Sequence, residues 1–263
     1  MIRFFLTILV ATSAFFSAEI VFAQSVHSVG SVVDFDADSP RLLDEALKEI
    51  EERLRVPVNY QEAIISNPAD LVRGEDIGLA QGKRYQKSHH LKVHYVPGES
   101  DALSAAQTAV NAYQEARLPG LYKVVSRGSA IHVIPTRDGS LFDTKVTWTA
   151  EGKNLADLLE SLSAQISRAC GKQIVLLNQP NPMDTKAAIF AQDEPLWKIF
   201  EQVTQLFGPT SFRFVYEPST DRYYLNVNGV ATLRPDDLGE KASTTSSEKS
   251  RAPSSPFFVR TPQ

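Results

Sequence analysis

The chain has 263 residues, 43% of them hydrophobic, and a formal net charge of −4. That length allows two modest domains, each with a real apolar core. So mild an acidic excess gives no electrostatic basis for a nucleic-acid or anionic-membrane surface.

The N-terminal stretch carries Arg3, then "FFLTILVATSAFF", then "VFA". A positive start, a short apolar run and a small residue at the end predict a signal peptide over residues 1–23, cleaved after Ala23. No second hydrophobic span follows. The expectation is an exported protein, bacterial periplasmic or secreted, with no integral membrane segment after cleavage. Cys170 is the single cysteine, so an exported chain must rely on packing rather than internal disulfides. It follows Ile166 by one helical turn and reads as a core thiol.

Residues 32–136 give the order strand, helix, strand, long loop, strand, helix, strand, strand. "SVVDFDA" alternates Val33, Phe35 and Ala37 against Asp34 and Asp36, the period of a half-buried strand. Ser39 and Pro40 suit a helix N-cap and first helical position. Leu43, Ala46, Leu47, Ile50 and Leu54 then share one helical face. "VPVNY" and "HHLKVHYV" read as strands. A helix is predicted from Ser100 to Arg117 with Leu103, Ala106, Val110 and Tyr113 inward, and "YKVVSRGSAIHVIP" as a hairpin turning at Arg127 and Gly128.

Residues 144–228 run through the same order. "KVTWTA" turns Val146 and Trp148 inward, Asn154 caps a helix with Asp157 at the capping-box position, and Gly171 suits its left-handed end. "QIVLL" and "KAAIFA" are strands, "EPLWKIFEQVTQLFG" a helix, and "FRFVYEPSTDRYYLNV" a hairpin. Leu43, Ala46, Leu47, Ile50 and Leu54 match Leu155, Leu158, Leu159, Leu162 and Ile166 at a constant offset. The expected fold class is therefore α+β: two tandem small modules, each with two helices packed on a short mixed sheet. Residues 63–88 interrupt the first copy as a polar insertion without clear periodicity, expected to be a mobile excursion. Residues 235–263 are rich in Ser, Thr and Pro and are expected to be a disordered tail. Near its end Phe257, Phe258, Val259 and Arg260 form the candidate partner-binding segment, an apolar peptide able to add to a sheet edge or fill a groove.

The order and punctuation of the second copy, carried by Leu155, Leu158, Leu159, Leu162, Gly171, Ile174, Leu196, Ile199 and Gly208, resemble the short N-terminal domain of secretins and TonB-dependent receptors. The first copy departs from the pattern at Val56 and Pro57, where the family has Gly, and keeps Gly120. The resemblance implies a periplasmic recognition module that contacts other envelope proteins and carries no catalytic residues. No barrel or ring-forming domain follows in this sequence, so an accessory or adaptor role is implied rather than a channel. The alternative is a small-ligand or peptidoglycan-binding protein with a cleft between the modules.

Chemical motifs are weak. Asp34, Asp36, Asp38 and Glu45 have the spacing of a calcium loop, but Ser39 and Pro40 stand where its sharp turn needs Gly, and a strand with an acidic outer face explains the same residues. His90 and His94 lie about 13 Å apart along a strand, too far for one zinc, so a site would need ligands from an adjacent strand, with His132 a candidate. No nucleophile elbow, P-loop, dinucleotide fingerprint or H-E-x-x-H occurs. Trp148, Trp197, Phe190, Phe212, Phe214 and Tyr216 fit core packing better than a ligand platform. The expectation is a non-enzymatic protein with no catalytic, cofactor or metal site.

Overall fold

The computed structural model describes residues 33–95, 102–177 and 186–230. In chain order the strands and helices are β1 (Val33–Ser39), α1 (Leu42–Leu54), β2 (Val58–Gln61), β3 (Leu71–Arg73), β4 (Arg84–Gln86), β5 (His89–Tyr95), α2 (Ala102–Glu115), β6 (Tyr122–Arg127) and β7 (Ala130–Pro135). There follow β8 (Lys145–Lys153), α3 (Leu155–Cys170), β9 (Ile174–Leu176), β10 (Ala187–Pro195), α4 (Leu196–Phe207), β11 (Thr210–Glu217) and β12 (Arg222–Gly229). The fold is mixed α+β.

Local chemistry explains the helix limits. Asn154 Oδ1 accepts from the Asp157 N–H at 2.9 Å, and Gly171 closes α3 at φ 67°. Helix α1 starts at Leu42, later than Ser39 and Pro40 suggest. Ser39 ends β1 instead, where its hydroxyl accepts from the Arg41 N–H at 3.1 Å and donates to Glu45. Arg55 takes the left-handed end of α1 at φ 57°, the conformation that Gly171 adopts without Cβ strain. The 63–88 insertion is more ordered than its polarity predicts. It holds the antiparallel pair β3–β4 and two single 3-10 turns, Pro68–Asp70 and Gly74–Ile77.

Pairing recurs along the chain. β1 pairs antiparallel with β5, and β8 with β10. β2 runs parallel to β7, which is antiparallel to β6; β9 runs parallel to β12, which is antiparallel to β11. The two three-stranded strips then join, because β2 pairs parallel with β11 through Arg213↔Tyr60 and Phe214↔Gln61. The result is one six-stranded sheet in the order β6-β7-β2-β11-β12-β9. The expected picture, in which each helix pair covers its own short sheet, changes accordingly. Each helix pair lies between a two-stranded ladder and the shared sheet, α1 touching β1 and β2, and α3 touching β8 and β9.

The period of two places these helices on opposite faces of the sheet. Val58, Tyr60, Ile131 and Val133 join a core with α1 and α2. Phe212, Phe214, Tyr223 and Leu225 join the other core, with α3, α4 and Phe142. Phe200 of α4 stacks on Phe212 with ring centroids 3.9 Å apart, and Phe142 meets Phe214 edge-on at 5.3 Å. Since both faces of the middle strands are covered, β2 and nearly all of β11 are buried at every position. Such strands are expected to be continuously apolar. Here they are not: Asn59, Gln61, Ser211 and Arg213 are buried in them.

Those polar residues form the seam. Arg213 is 0% exposed and lies 2.9 Å from Asp44 Oδ1 and 3.3 Å from Glu51 Oε2, both carboxylates on α1. Glu51 also accepts from Ser211 Oγ at 2.9 Å and from the Val58 N–H at 2.8 Å, while Asp44 meets Lys48 at 2.6 Å. Asn59 Oδ1 accepts from the Phe212 N–H at 2.8 Å. Gln61 donates to the Gly139 carbonyl and accepts from the Leu141 N–H, fixing the connection between the halves. Removing one partner of a buried ion pair leaves an unpaired charge in low dielectric. The substitution Arg213→Met is therefore expected to cost about 3–5 kcal/mol in urea unfolding, and to separate a single transition into two. One unshifted transition would show that the seam is not what couples the halves.

Candidate interaction surfaces

The polar groups at the seam are sealed from solvent and paired with one another. Glu62 follows β2 and is 2% exposed; its Oε2 accepts from the Tyr216 N–H at 2.8 Å and lies 3.6 Å from Arg41 Nε. Arg41 also reaches Glu217 at 3.0 Å. Burial pushes the Glu62 carboxyl up to about 8; Arg41 opposes this, but shares its charge with Glu217. Burial pushes His132, edge-on to Phe142 at 5.0 Å, down to about 4. Burial also acts to raise Asp44, yet Arg213 and Lys48 outweigh it and hold that carboxyl below its usual range.

The outer faces of the two ladders differ in chemistry. On β1–β5 the exposed Asp34, Asp36 and Asp38 stand opposite His94, Lys92 and His90. His94 Nδ1 lies 2.5 Å from Asp34, Lys92 3.4 Å from Asp36, and His90 3.3 Å from Asp38. This is a cross-strand polar ladder, with Lys92 and Asp36 as its ion pair. Glu45, the fourth member of the calcium-like spacing, points to Ser39 instead. Among the described residues no group of three or more His, Cys, Asp and Glu is placed to hold a metal ion. The face of β8–β10 carries Phe190, 64% exposed and opposite Thr149. Phe190 is thus a correction to the expected core set, whereas Trp148, Phe212, Phe214 and Tyr216 are buried and Trp197 is partly so. The alternation Ala187, Ile189, Ala191 inward already points Phe190 outward, a signal the aromatic count obscured.

Two strand edges complete the inventory. β6 and β9 end the six-stranded sheet, with no further strand beside either among the described residues. Leu121 next to β6 is 46% exposed, and Leu177 at the end of β9 is 57% exposed. Cys170 is half-buried at the end of α3, with Sγ 3.8 Å from the Lys172 carbonyl, and so sits at the margin of the core. The signal-peptide stretch 1–23 and the candidate segment Phe257, Phe258, Val259 and Arg260 lie outside the described residues. No described helix is long and apolar enough to cross a membrane.

A cleft of about 620 Å³ opens beside the insertion. Its walls are residues 63–67 with Asp70, the 117–121 turn, and Pro135, Arg137 and Asp138. Arg117 and Asp138 hold positive φ of 54° and 70°. At Gly120, φ 92°, an added Cβ would come within 2.9 Å of the Ala63 Cβ, so only glycine lets these walls approach. Tyr122 Oη accepts from the Ala63 N–H at 3.1 Å, and Tyr113 Oη donates to the Pro119 carbonyl at 2.7 Å, pinning both walls. The cleft lies within the first half of the chain and not between the halves.

Comparison with known proteins found no family model, no curated protein and no solved structure that matches the chain.

The seam makes stability depend on pH with a definite sign. Glu62 rises from an ordinary 4.5 to about 8 in the fold, so between those values the unfolded chain has lost a proton that the folded chain keeps. Stability therefore falls as pH rises through that window. His132 acts oppositely, stability rising between about 4 and 6.5 because the unfolded imidazole binds a proton that the buried ring refuses. Of these two effects, that of Glu62 is the one that remains from pH 6.5 to 8. Thermal melts should show a falling Tm across that range, and Glu62→Gln should flatten it. An unaltered slope in Glu62→Gln would assign the pH dependence to another group.

Proposed function

We propose that this chain is an exported, non-enzymatic protein–protein interaction module of the bacterial envelope, built as tandem copies of one small α+β unit. The recurrence of both pairing patterns, ladder and strip, supports duplication, and the resemblance to the short N-terminal domain of secretins and TonB-dependent receptors supports the envelope setting. The observation that carries the interaction reading is the pair of sheet ends, β6 and β9, each beside an exposed leucine. Edges of this kind accept a strand from a partner through main-chain hydrogen bonds, with side chains setting specificity. The outward Phe190 adds an apolar contact on a third face.

On this reading the Phe257–Arg260 segment, the strand ends and the insertion carry the contact with an envelope protein. Affinity capture from solubilised native envelopes should retain a partner on residues 24–263. A chain ending at Arg234 should lose that partner if the tail carries the contact. Retention by the shorter chain, abolished by Leu121→Lys with Leu177→Lys, would assign it to the edges. No partner with any version would overturn the proposal.

The cleft supports a second reading, as a small-ligand or peptidoglycan-binding protein. Arg117 and Arg137 stand on its walls without an ion-pair partner among the described residues, and Asp70 and Asp138 supply the opposite charge. A lining of both signs over Ile64 and Leu118 suits a short zwitterionic peptide. Wall-derived peptides should then raise the Tm saturably in the native protein and not in Arg117→Ala with Arg137→Ala. No shift in the native protein would remove this reading.

A further inference from the structure

The two open ends of the sheet are not chemically alike, and their difference selects what covers one of them. At β9 the Gln173 carbonyl accepts from the Tyr223 N–H at 2.9 Å, and the Leu177 N–H donates to the Leu225 carbonyl at 3.0 Å. These groups face β12, so by the strand period Ile174 and Leu176 direct their backbone groups to the open side. The Ile174 N–H is already served: Ser167 Oγ accepts it at 2.9 Å, and shares its own proton between the Ser163 carbonyl at 2.9 Å and the Ile174 carbonyl at 3.3 Å. Among the described residues, nothing pairs with the Leu176 backbone on that side. The same arrangement occurs at β2, where Glu51 takes the Val58 N–H and the strand beyond it accepts β11, the Glu62 N–H donating to the Phe214 carbonyl at 2.8 Å. Within this chain, therefore, the β2 edge already receives a strand, and β9 is its counterpart.

A second copy of the chain is the first occupant to consider, since its β6 corresponds to β11. The registers Tyr60↔Val133↔Val124 and Leu176↔Leu225↔Phe214 make Lys123 the counterpart of Arg213. Arg213 is buried only because α1 offers Asp44 and Glu51. In α3 the matching positions are Ala156 and Ser163, which have no charge to offer. Docking a second β6 there would bury Lys123 without those carboxylates, an unfavourable exchange. The β9 edge instead presents Val175, Leu176 and Leu177, and so suits an uncharged apolar strand. Two shielded amide atoms without partners, Asn226 Oδ1 and Asn228 Nδ2, lie on the adjoining β12.

We propose that residues Phe257–Thr261 of the same chain add to β9 as a seventh strand. This rests on the interaction reading above and specifies where the tail sits before a partner takes it. The segment has three consecutive apolar residues between Pro256 and Pro262, and those prolines limit it to the short length that β9 offers. The chain leaves the sheet at the end of β12, just before Val230, and β12 is the neighbour of β9. Residues 231–256 are a tether far longer than the about 10 Å separating β12 from the outer side of β9. A tethered segment competes at high effective concentration, so the edge is covered until a partner binds more tightly.

The test uses purified protein with no partner, so its failure is separable from a failure of envelope capture. Hydrogen exchange at the Leu176 amide should be at least tenfold slower in residues 24–263 than in 24–255. The pair Phe257→Ser and Phe258→Ser should match the shorter chain. Alkylation of Cys170, the single thiol, half-buried at the α3 end beside β9, gives a second readout and should be slower with the tail present. Sedimentation must show a monomer throughout. Equal exchange and alkylation in all three proteins would overturn the proposal, as would protection that appears only on dimerisation.

Discussion

The structure depends on one strand pairing, β2 against β11, and on the charge that this pairing buries. Parallel strands usually meet as apolar surfaces covered on both faces. Here Arg213 must be neutralised within the interior, and among the described residues α1 does so through Asp44 and Glu51. That requirement positions β11 laterally on β2 and places the helices of the two halves on opposite faces of one sheet. Hydrophobic burial holds the halves together, while the ion pairs select which edge meets which.

The same chemistry limits how far the pattern can continue. A head-to-tail contact between strips of like strand order is heterologous, and without closure it generates open assemblies. Among the described residues two edges are left after the halves join, and neither reproduces the seam: Lys123 is exposed on β6, and Ala156 and Ser163 stand where the carboxylates would be. A single seam is thus specified, and neither remaining edge is paired among the described residues. The β1–β5 ladder is blunted differently, with Asp34, Asp36 and Asp38 set against His94, Lys92 and His90 across its outer face.

Particular residues show where reading the chain succeeds. Asn154, Gly171 and the stripe from Leu155 to Ile166 give α3 with its limits, because capping and helical amphipathicity are local. The hairpins follow from their turn residues in the same way, the first turning at Gly128 and Ser129, one residue later than expected, and the second between Glu217 and Arg222. The insertion between residues 63 and 88 is harder, since three-residue strands such as β3 and β4 leave too few alternations to register as a period. Phe190 misleads in another fashion: aromatic character suggests a core position, and the strand period contradicts it.

Arg213 marks the boundary between the two sources of information. In "SFRFVYE" it alternates with Phe212 and Phe214, so local rules assign it to solvent. By itself the sequence determined the α+β class, the four helices, most strands and the recurrence of one element order, since these follow from residue spacing over a few turns. Only the tertiary structure decided that the two strips fuse into a single sheet, that α1 covers the face where Arg213 lies, and that β6 and β9 remain open among the described residues. Those outcomes depend on which distant carboxylates meet which guanidinium, and periodicity along a chain carries no record of that.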